Sequence, residues 1–110
     1  MSPVIDLPTF TELQANTGAD FVAELVDTFA AEAPGMQAEL RAAWAAGAAD
    51  RFRRAAHSLK TNAQTFGALR LADAARALEL AGLPGAAAPL DDLDAGCHEA
   101  LAALQTLARG

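Results

Sequence analysis

Apolar residues recur at helical spacing along most of this chain. The segments with this i, i+3, i+4 pattern cover residues 7–16, a stretch from Asp20, residues 50–66, residues 68–81 and a stretch from about Leu90. No stretch alternates apolar and polar residues as a strand does. The sequence therefore predicts an all-α fold, an antiparallel up-down four-helix bundle with an additional short N-terminal helix.

The second predicted helix contains a Pro34-Gly35 pair. Asp20 is a suitable N-cap for this helix, because its carboxylate can accept a hydrogen bond from a free backbone N–H. The apolar stripe keeps its phase across the pair, with Phe21, Val22, Leu25, Val26 and Phe29 before it and Met36, Leu40, Ala43 and Trp44 after it. Since proline bends or ends a helix, the sequence leaves open one kinked helix or two slightly offset helices.

The later helices supply the rest of the predicted core. Their apolar stripes consist of Phe52, Ala56, Leu59, Ala63 and Phe66, then Leu71, Ala74, Ala75 and Leu78, then Leu90, Leu93, Cys97, Leu101, Leu104 and Ala108. A length of 110 residues with 53% hydrophobic content suits a single domain over residues 1–110. Because much of this content is alanine, which buries little area, the larger side chains must carry most of the stability.

The third predicted helix presents a polar stripe beside its apolar one. The polar stripe consists of Arg53, His57, Lys60 and Gln64, with Thr61 just beyond it. His57 is therefore expected to be partly exposed and close to cations. Gly67 is expected to end this helix as a left-handed cap, so that the next helix folds back beside it.

The residues around His57 form a pattern that one protein family shares. The chain has Ala-His-Ser-Leu-Lys-Thr at residues 56–61 and Gly-Ala at residues 67–68. It resembles the histidine-containing phosphotransfer domain family, whose pattern is Ala-His-x-Leu-Lys-Gly, five less fixed residues, and Gly-Ala. Leu71, Leu78 and Glu79 are similar to the family's next helix. Thr61 departs from the pattern, because the family usually has a glycine there that lets a partner approach closely.

The resemblance implies a phosphorelay carrier. His57 would accept a phosphoryl group from an aspartyl phosphate on a receiver domain and pass it to another receiver, with a hybrid sensor histidine kinase among the partners. A neutral imidazole suits this step, since its reference pKa is about 6.5. Lys60 would attract the phosphoryl group, and Glu79 would hold a ring proton and orient the imidazole. The receiver, not this chain, would bind magnesium, and no other cofactor is expected.

Several residues near His57 are expected to meet the receiver. They are Arg53, Thr61, Gln64 and Gly67, and Thr61 should crowd the docking surface. A local basic patch is formed by Arg51, Arg53, Arg54 and Lys60. This patch suits a phosphoryl group or an acidic protein surface, and its alternative interpretation is a solvated helix face.

Composition and motifs exclude several other functions. A net charge of −6 with only eight Lys and Arg argues against nucleic-acid binding. The chain has no Gly-rich phosphate loop, so it should not use ATP and is expected to be a carrier rather than an enzyme. Neither a signal peptide nor a membrane span is visible, and the single Cys97 suits core packing.

We expect a cytoplasmic monomer. Met1 fits a free-standing carrier, although a domain of a hybrid kinase would look the same.

Three alternatives stay open at this point. The chain could be a phosphotransfer-like docking module in which His57 is chemically silent, with Thr61 as the main indication. A metal-binding bundle is disfavoured, because the two histidines fall on distant helices without supporting carboxylates. Glu79 could instead be an ion-pair partner of Arg76 or Arg70. His98 lacks the Leu-Lys pair and is interpreted as a surface histidine that meets solvent or Asp94.

Overall fold

Helices make up nearly all of the structure. The computed structural model describes residues 3–110, and Met1 and Ser2 of the predicted domain lie outside the described residues. Within residues 3–110 the helices are α1 (Leu7–Thr17), α2 (Ala19–Ala45), α3 (Ala49–Thr65), α4 (Leu69–Ala81) and α5 (Ala88–Arg109). The predicted all-α class is confirmed, and the predicted boundaries agree to within a few residues. Around the bundle, α3 packs against α2 and α4, and α5 packs against the same two helices.

The second helix is continuous through Pro34. It spans 27 residues, so the alternative of two offset helices is wrong. At about 1.5 Å per residue it is about 40 Å long, close to the longest dimension of the molecule, 41 Å. Pro34 lies on the exposed face, next to the buried Ala33. The predicted N-cap is also wrong, because Gly18 (φ 94°) occupies that position and Asp20 lies in the first turn. A carboxylate there still favours the positive end of the helix dipole.

One cluster of side chains from every helix forms the core. Its largest fully buried members are Phe29, Phe52, Leu40, Leu59, Leu71, Leu90, Leu93, Leu104, Val22, Val26 and Cys97. The rings of Phe29 and Phe66 stack with centroids 5.5 Å apart, which joins α2 to the end of α3. Burial raises the pKa of the Cys97 thiol to about 11, as expected for a cysteine that serves in packing.

Two residues predicted in the core are exposed. Phe21 is 47% exposed. The buried face of α2 contains Val22 and Val26, and Phe21 lies at the edge of that face. Ala74 is exposed and Ala72 is buried in its place. Ala72 and Ala74 flank the same stripe on opposite sides, and α4 is turned so that the Ala72 side packs inward. Five further residues that were predicted in the core are only partly buried against it: Leu25, Met36, Trp44, Leu101 and Ala108.

The N-terminal segment covers the turn between α3 and α4. Gly67 has φ +79°, which confirms the predicted left-handed cap. The backbone N–H of Asp6 donates to the Gly67 carbonyl oxygen over 2.7 Å. Asp6 also caps α1, because its carboxylate accepts from the backbone N–H of Thr9 at 3.2 Å and from the Thr9 hydroxyl at 2.5 Å. Gly67 is therefore buried beneath this segment rather than displayed, and its contact with a receiver stays a prediction.

Candidate functional site

His57 projects from the outer side of α3. Its neighbours Ala56 and Leu59 are fully buried, which fixes the face of the helix that turns inward. The His57 side chain is 60% exposed, so the predicted partial exposure is confirmed. The periodicity of the apolar stripe was sufficient to predict this position.

Glu79 of α4 bridges His57 and Lys60 of α3. Its Oε2 lies 2.5 Å from His57 Nδ1, and its Oε1 lies 2.7 Å from Lys60 Nζ. Glu79 reaches α3 because α4 is turned with its Ala72 side inward, and Glu79 lies on that same side. The alternative ion pairs of Glu79 are wrong, since Arg70 pairs with Glu99 and Glu79 pairs with α3.

The electrostatics of this bridge keep Glu79 ionised. The hydrogen bond from Lys60 lowers the pKa of the Glu79 carboxyl most strongly, partial burial opposes it, and the hydrogen bond from His57 lowers it further. An ionised carboxylate only accepts hydrogen bonds, so the proton in the short contact belongs to His57 Nδ1. In the neutral form of the ring, the free lone pair is therefore on Nε2. The geometry thus presents a nucleophilic nitrogen on an exposed side chain.

Lys60 is less available than its sequence position indicated. Its side chain is only 16% exposed, and its ammonium group is held by Glu79, which is 15% exposed. Lys60 is therefore not part of a solvated helix face, which was the alternative interpretation of the basic patch. The physical reason is the carboxylate across the helix pair, which draws the flexible lysine chain against α4.

The remaining predicted contact residues surround His57. The Thr61 hydroxyl donates to the His57 carbonyl oxygen over 3.0 Å, and both Thr61 and Gln64 are exposed. Arg53 is exposed and pairs with Asp50 at 3.3 Å. The structure thus brings these three side chains to the surface that carries His57, while Gly67 lies beneath the N-terminal segment.

A shallow cleft of about 370 Å³ opens beside His57. It is lined by Arg53, Arg54, His57, Ser58 and Glu79. Sequence reasoning placed Arg54 in the basic patch but did not connect it or Ser58 to the site. The sequence spacing could have connected Arg54 to the site, because Arg54 lies three residues before His57 and side chains three positions apart on a helix lie close together.

A family model matches the part of the chain that contains this site. The family model described as Hpt domain matches residues 24–108, which include α3 and α4 with His57, Lys60 and Glu79. The chain belongs to the Hpt domain family. Domains of this family are histidine phosphotransfer modules of phosphorelays, which interact with receiver and kinase domains and lack kinase or ATP-binding sites. No curated protein and no solved structure matches the chain.

The basic patch of this Hpt domain is largely paired. Arg51 pairs with Glu39 of α2, Arg53 with Asp50, and Lys60 with Glu79. Arg54 differs from them, because within residues 3–110 no carboxylate lies at ion-pair distance from its guanidinium group. The positive charge next to His57 is therefore concentrated on one side chain.

The second histidine of the Hpt domain lies apart from this site. His98 is exposed on α5. Asp94, its suggested partner, accepts instead from Gln37 at 2.9 Å and from Arg41, so that pairing is wrong. This link between α2 and α5 was not visible in the sequence, because it depends on how the two helices align. In the part of the chain that the structure describes, no three His, Cys, Asp or Glu side chains come close enough to hold a metal ion.

None of the helices in residues 3–110 combines the length and the apolar character that crossing a membrane requires.

Proposed function

We propose that this Hpt domain takes a phosphoryl group from the aspartyl phosphate of one receiver domain onto Nε2 of His57 and passes it to another receiver. The observation that carries this proposal is the contact between Glu79 Oε2 and His57 Nδ1 on an exposed ring. It leaves Nε2 as the unprotonated and accessible nitrogen.

In the proposed transfer, the imidazole is the group of this chain that reacts, and each bond that forms is matched by one that breaks. The Nε2 lone pair attacks the phosphorus atom, a P–N bond forms, and the P–O bond to the aspartyl oxygen breaks. The released aspartate carboxylate takes the bonding electron pair. The ring then carries a positive charge, which the ionised Glu79 carboxylate offsets through Nδ1–H. In the onward step the same changes occur in reverse order on the second receiver.

The partner supplies the rest of the chemistry in this proposal. The receiver holds magnesium, while the Hpt domain binds no cofactor and no nucleotide. Arg53, Thr61 and Gln64 contact the receiver, and a hybrid sensor histidine kinase feeds the relay. We further propose that the carrier is a cytoplasmic monomer. The packing of α3 and α5 between α2 and α4 supports an antiparallel four-helix bundle to which α1 is added.

One observation favours a second candidate. Thr61 is exposed on the turn after His57, where its branched side chain narrows the approach of a partner. A docking module with a silent His57 would tolerate such a residue. The carrier is preferred, because a docking role alone gives no reason for Glu79 to hold both Lys60 and His57.

Phosphoryl transfer from a panel of phosphorylated receiver domains tests the proposal. We expect the wild type to take up label that is lost in acid and kept in alkali, as a phosphohistidine is. His57→Gln should remove that label while folding and receiver binding remain. His98→Gln is the matched control, because it removes the other histidine from an exposed position outside the site. Label that persists in His57→Gln, or receiver binding with no label in the wild type, would refute the carrier.

A further inference from the structure

A cation that binds the transferred phosphoryl group must have a side chain that is free to reach it. The ammonium group of Lys60 is held 2.7 Å from Glu79 Oε1, and the two side chains bury each other. If Lys60 turned toward a phosphoryl group, Glu79 Oε1 would lose the hydrogen bond that holds the carboxylate in place. The carboxylate would then orient the His57 ring less rigidly. Lys60 therefore stabilises the imidazole best by staying where it is.

Lys60 is not among the residues that line the cleft beside His57. Arg53, Arg54 and Ser58 line it with His57 and Glu79, and Lys60 does not. Side chains on a helix lean toward its N-terminus and cover the surface of the preceding turn. The His57 ring therefore leans over the turn that carries Arg53 and Arg54. A group attached to the tip of the ring would lie above that turn.

Arg54 is the better placed of these two arginines to bind an anion. Arg53 already has a carboxylate partner in Asp50 at 3.3 Å. Arg54 is exposed, and within residues 3–110 no carboxylate pairs with it. A guanidinium group offers several N–H donors in one plane, which suits the oxygens of a phosphoryl group.

We propose that the cleft between Arg54 and His57 is a phosphoryl-binding site, in which the Arg54 guanidinium contacts the transferred group. Lys60 is a positioning residue that acts through Glu79. This inference rests on the proposed function and deepens it, because it divides the two tasks that a single nearby cation would otherwise perform.

Uptake from phosphoramidate tests this site without a protein partner. In that reaction the P–N bond of the donor breaks, ammonia departs with the electron pair, and a P–N bond to His57 forms. Arg54→Gln should slow uptake about tenfold, the cost of one charge-assisted hydrogen bond, and Arg54→Lys should recover part of the rate. Arg109→Gln is the matched control, because it removes the same charge from the exposed last turn of α5. Circular dichroism verifies that each variant is folded.

Each outcome decides between the alternatives. Equal uptake rates for Arg54→Gln and Arg109→Gln would overturn the site while leaving the carrier intact. A loss that appears only with receiver donors would also overturn it, since Arg54 would then contact the protein rather than the phosphoryl group. If the wild type accepts label from neither phosphoramidate nor receivers, the proposed function fails, and the site fails with it.

A double-mutant cycle separates the roles of Arg54 and Lys60. If Lys60 acts through Glu79, Lys60→Gln should slow uptake much less in a Glu79→Gln background than in the wild type. Arg54→Gln should slow uptake by the same factor in both backgrounds. A full effect of Lys60→Gln in the Glu79→Gln background would mean that Lys60 contacts the phosphoryl group itself, and it would overturn the division of tasks.

Discussion

Glu79 Oε2 lies 2.5 Å from His57 Nδ1, although the two residues belong to different helices and are 22 positions apart in the chain. The second carboxylate oxygen is held by Lys60. A carboxylate with both oxygens engaged has a fixed orientation, so it also fixes the plane of the imidazole ring.

The first prediction concerns this fixed orientation. Glu79→Gln should slow the phosphorylation of His57 by about tenfold, because a neutral amide offsets less of the ring's positive charge. Uptake from phosphoramidate measures the effect without the influence of docking. Glu99→Gln is the matched control, since Glu99 also pairs with a cation, Arg70, on the neighbouring helix. An unchanged uptake rate and phosphohistidine lifetime in Glu79→Gln would show that the contact has no orienting role.

The second prediction concerns the pH dependence of stability. The pKa of Glu79 is lowered in the folded protein, chiefly by Lys60. Between the folded and the ordinary value, about 4.3, the unfolded chain binds more protons, so stability rises with pH there. The contribution of Glu79 is therefore complete above the ordinary pKa and is lost as the pH falls through the folded one.

Urea unfolding of the wild type and Glu79→Gln at pH 7 and pH 3 measures this contribution. The difference in the free energy of unfolding should be larger at pH 7 and should shrink at pH 3. Equal differences at the two pH values would mean that the ion pair with Lys60 adds no stability.

The third prediction concerns the approach of a receiver. Thr61→Gly should speed transfer from a phosphorylated receiver, because it removes a branched, exposed side chain one turn from His57. Uptake from phosphoramidate should stay the same, since that donor is too small to be obstructed. Thr65→Gly is the matched control: its hydroxyl also donates to a backbone carbonyl four residues earlier, at 3.0 Å. If Thr61→Gly leaves receiver transfer unchanged, the crowding interpretation is wrong.

The fourth prediction concerns the covered turn. Gly67 and Gly47 both have positive φ, at +79° and +66°. A Cβ atom at Gly67 would lie 2.9 Å from the Asp6 carbonyl oxygen and 3.0 Å from Thr9 Cβ, whereas a Cβ at Gly47 would meet nothing within 4 Å. Gly47→Ala should therefore cost about 1 kcal/mol of backbone strain, and Gly67→Ala should cost about 1–3 kcal/mol more. Urea unfolding measures the free energy of unfolding of both variants. Equal losses of stability would mean that the N-terminal segment shifts to make room for the Cβ atom at position 67 at no cost.

Much of the site could be predicted from spacing within single helices. The buried stripe of α3 fixes the outward direction of His57, and Glu79 falls at the edge of its own stripe. Contacts between helices were less accessible, because they depend on how each helix is turned. The sequence pattern predicted Ala74 on the buried face of α4, whereas Ala72 faces inward, and the same rotation of α4 decides how far Glu79 reaches toward Lys60. The contact of the N-terminal segment with Gly67 was not predicted, because Asp6 and Gly67 are far apart in the chain.

The three bridged side chains all lie on one helical hairpin, between His57 and Glu79. Closing so short a loop costs little entropy, so the hairpin sets the geometry of the imidazole largely by itself. Substitutions on the outer faces of α2 and α5 should therefore leave the position of the reactive nitrogen unchanged. A module built this way can diverge over much of its surface while its chemistry is inherited unchanged.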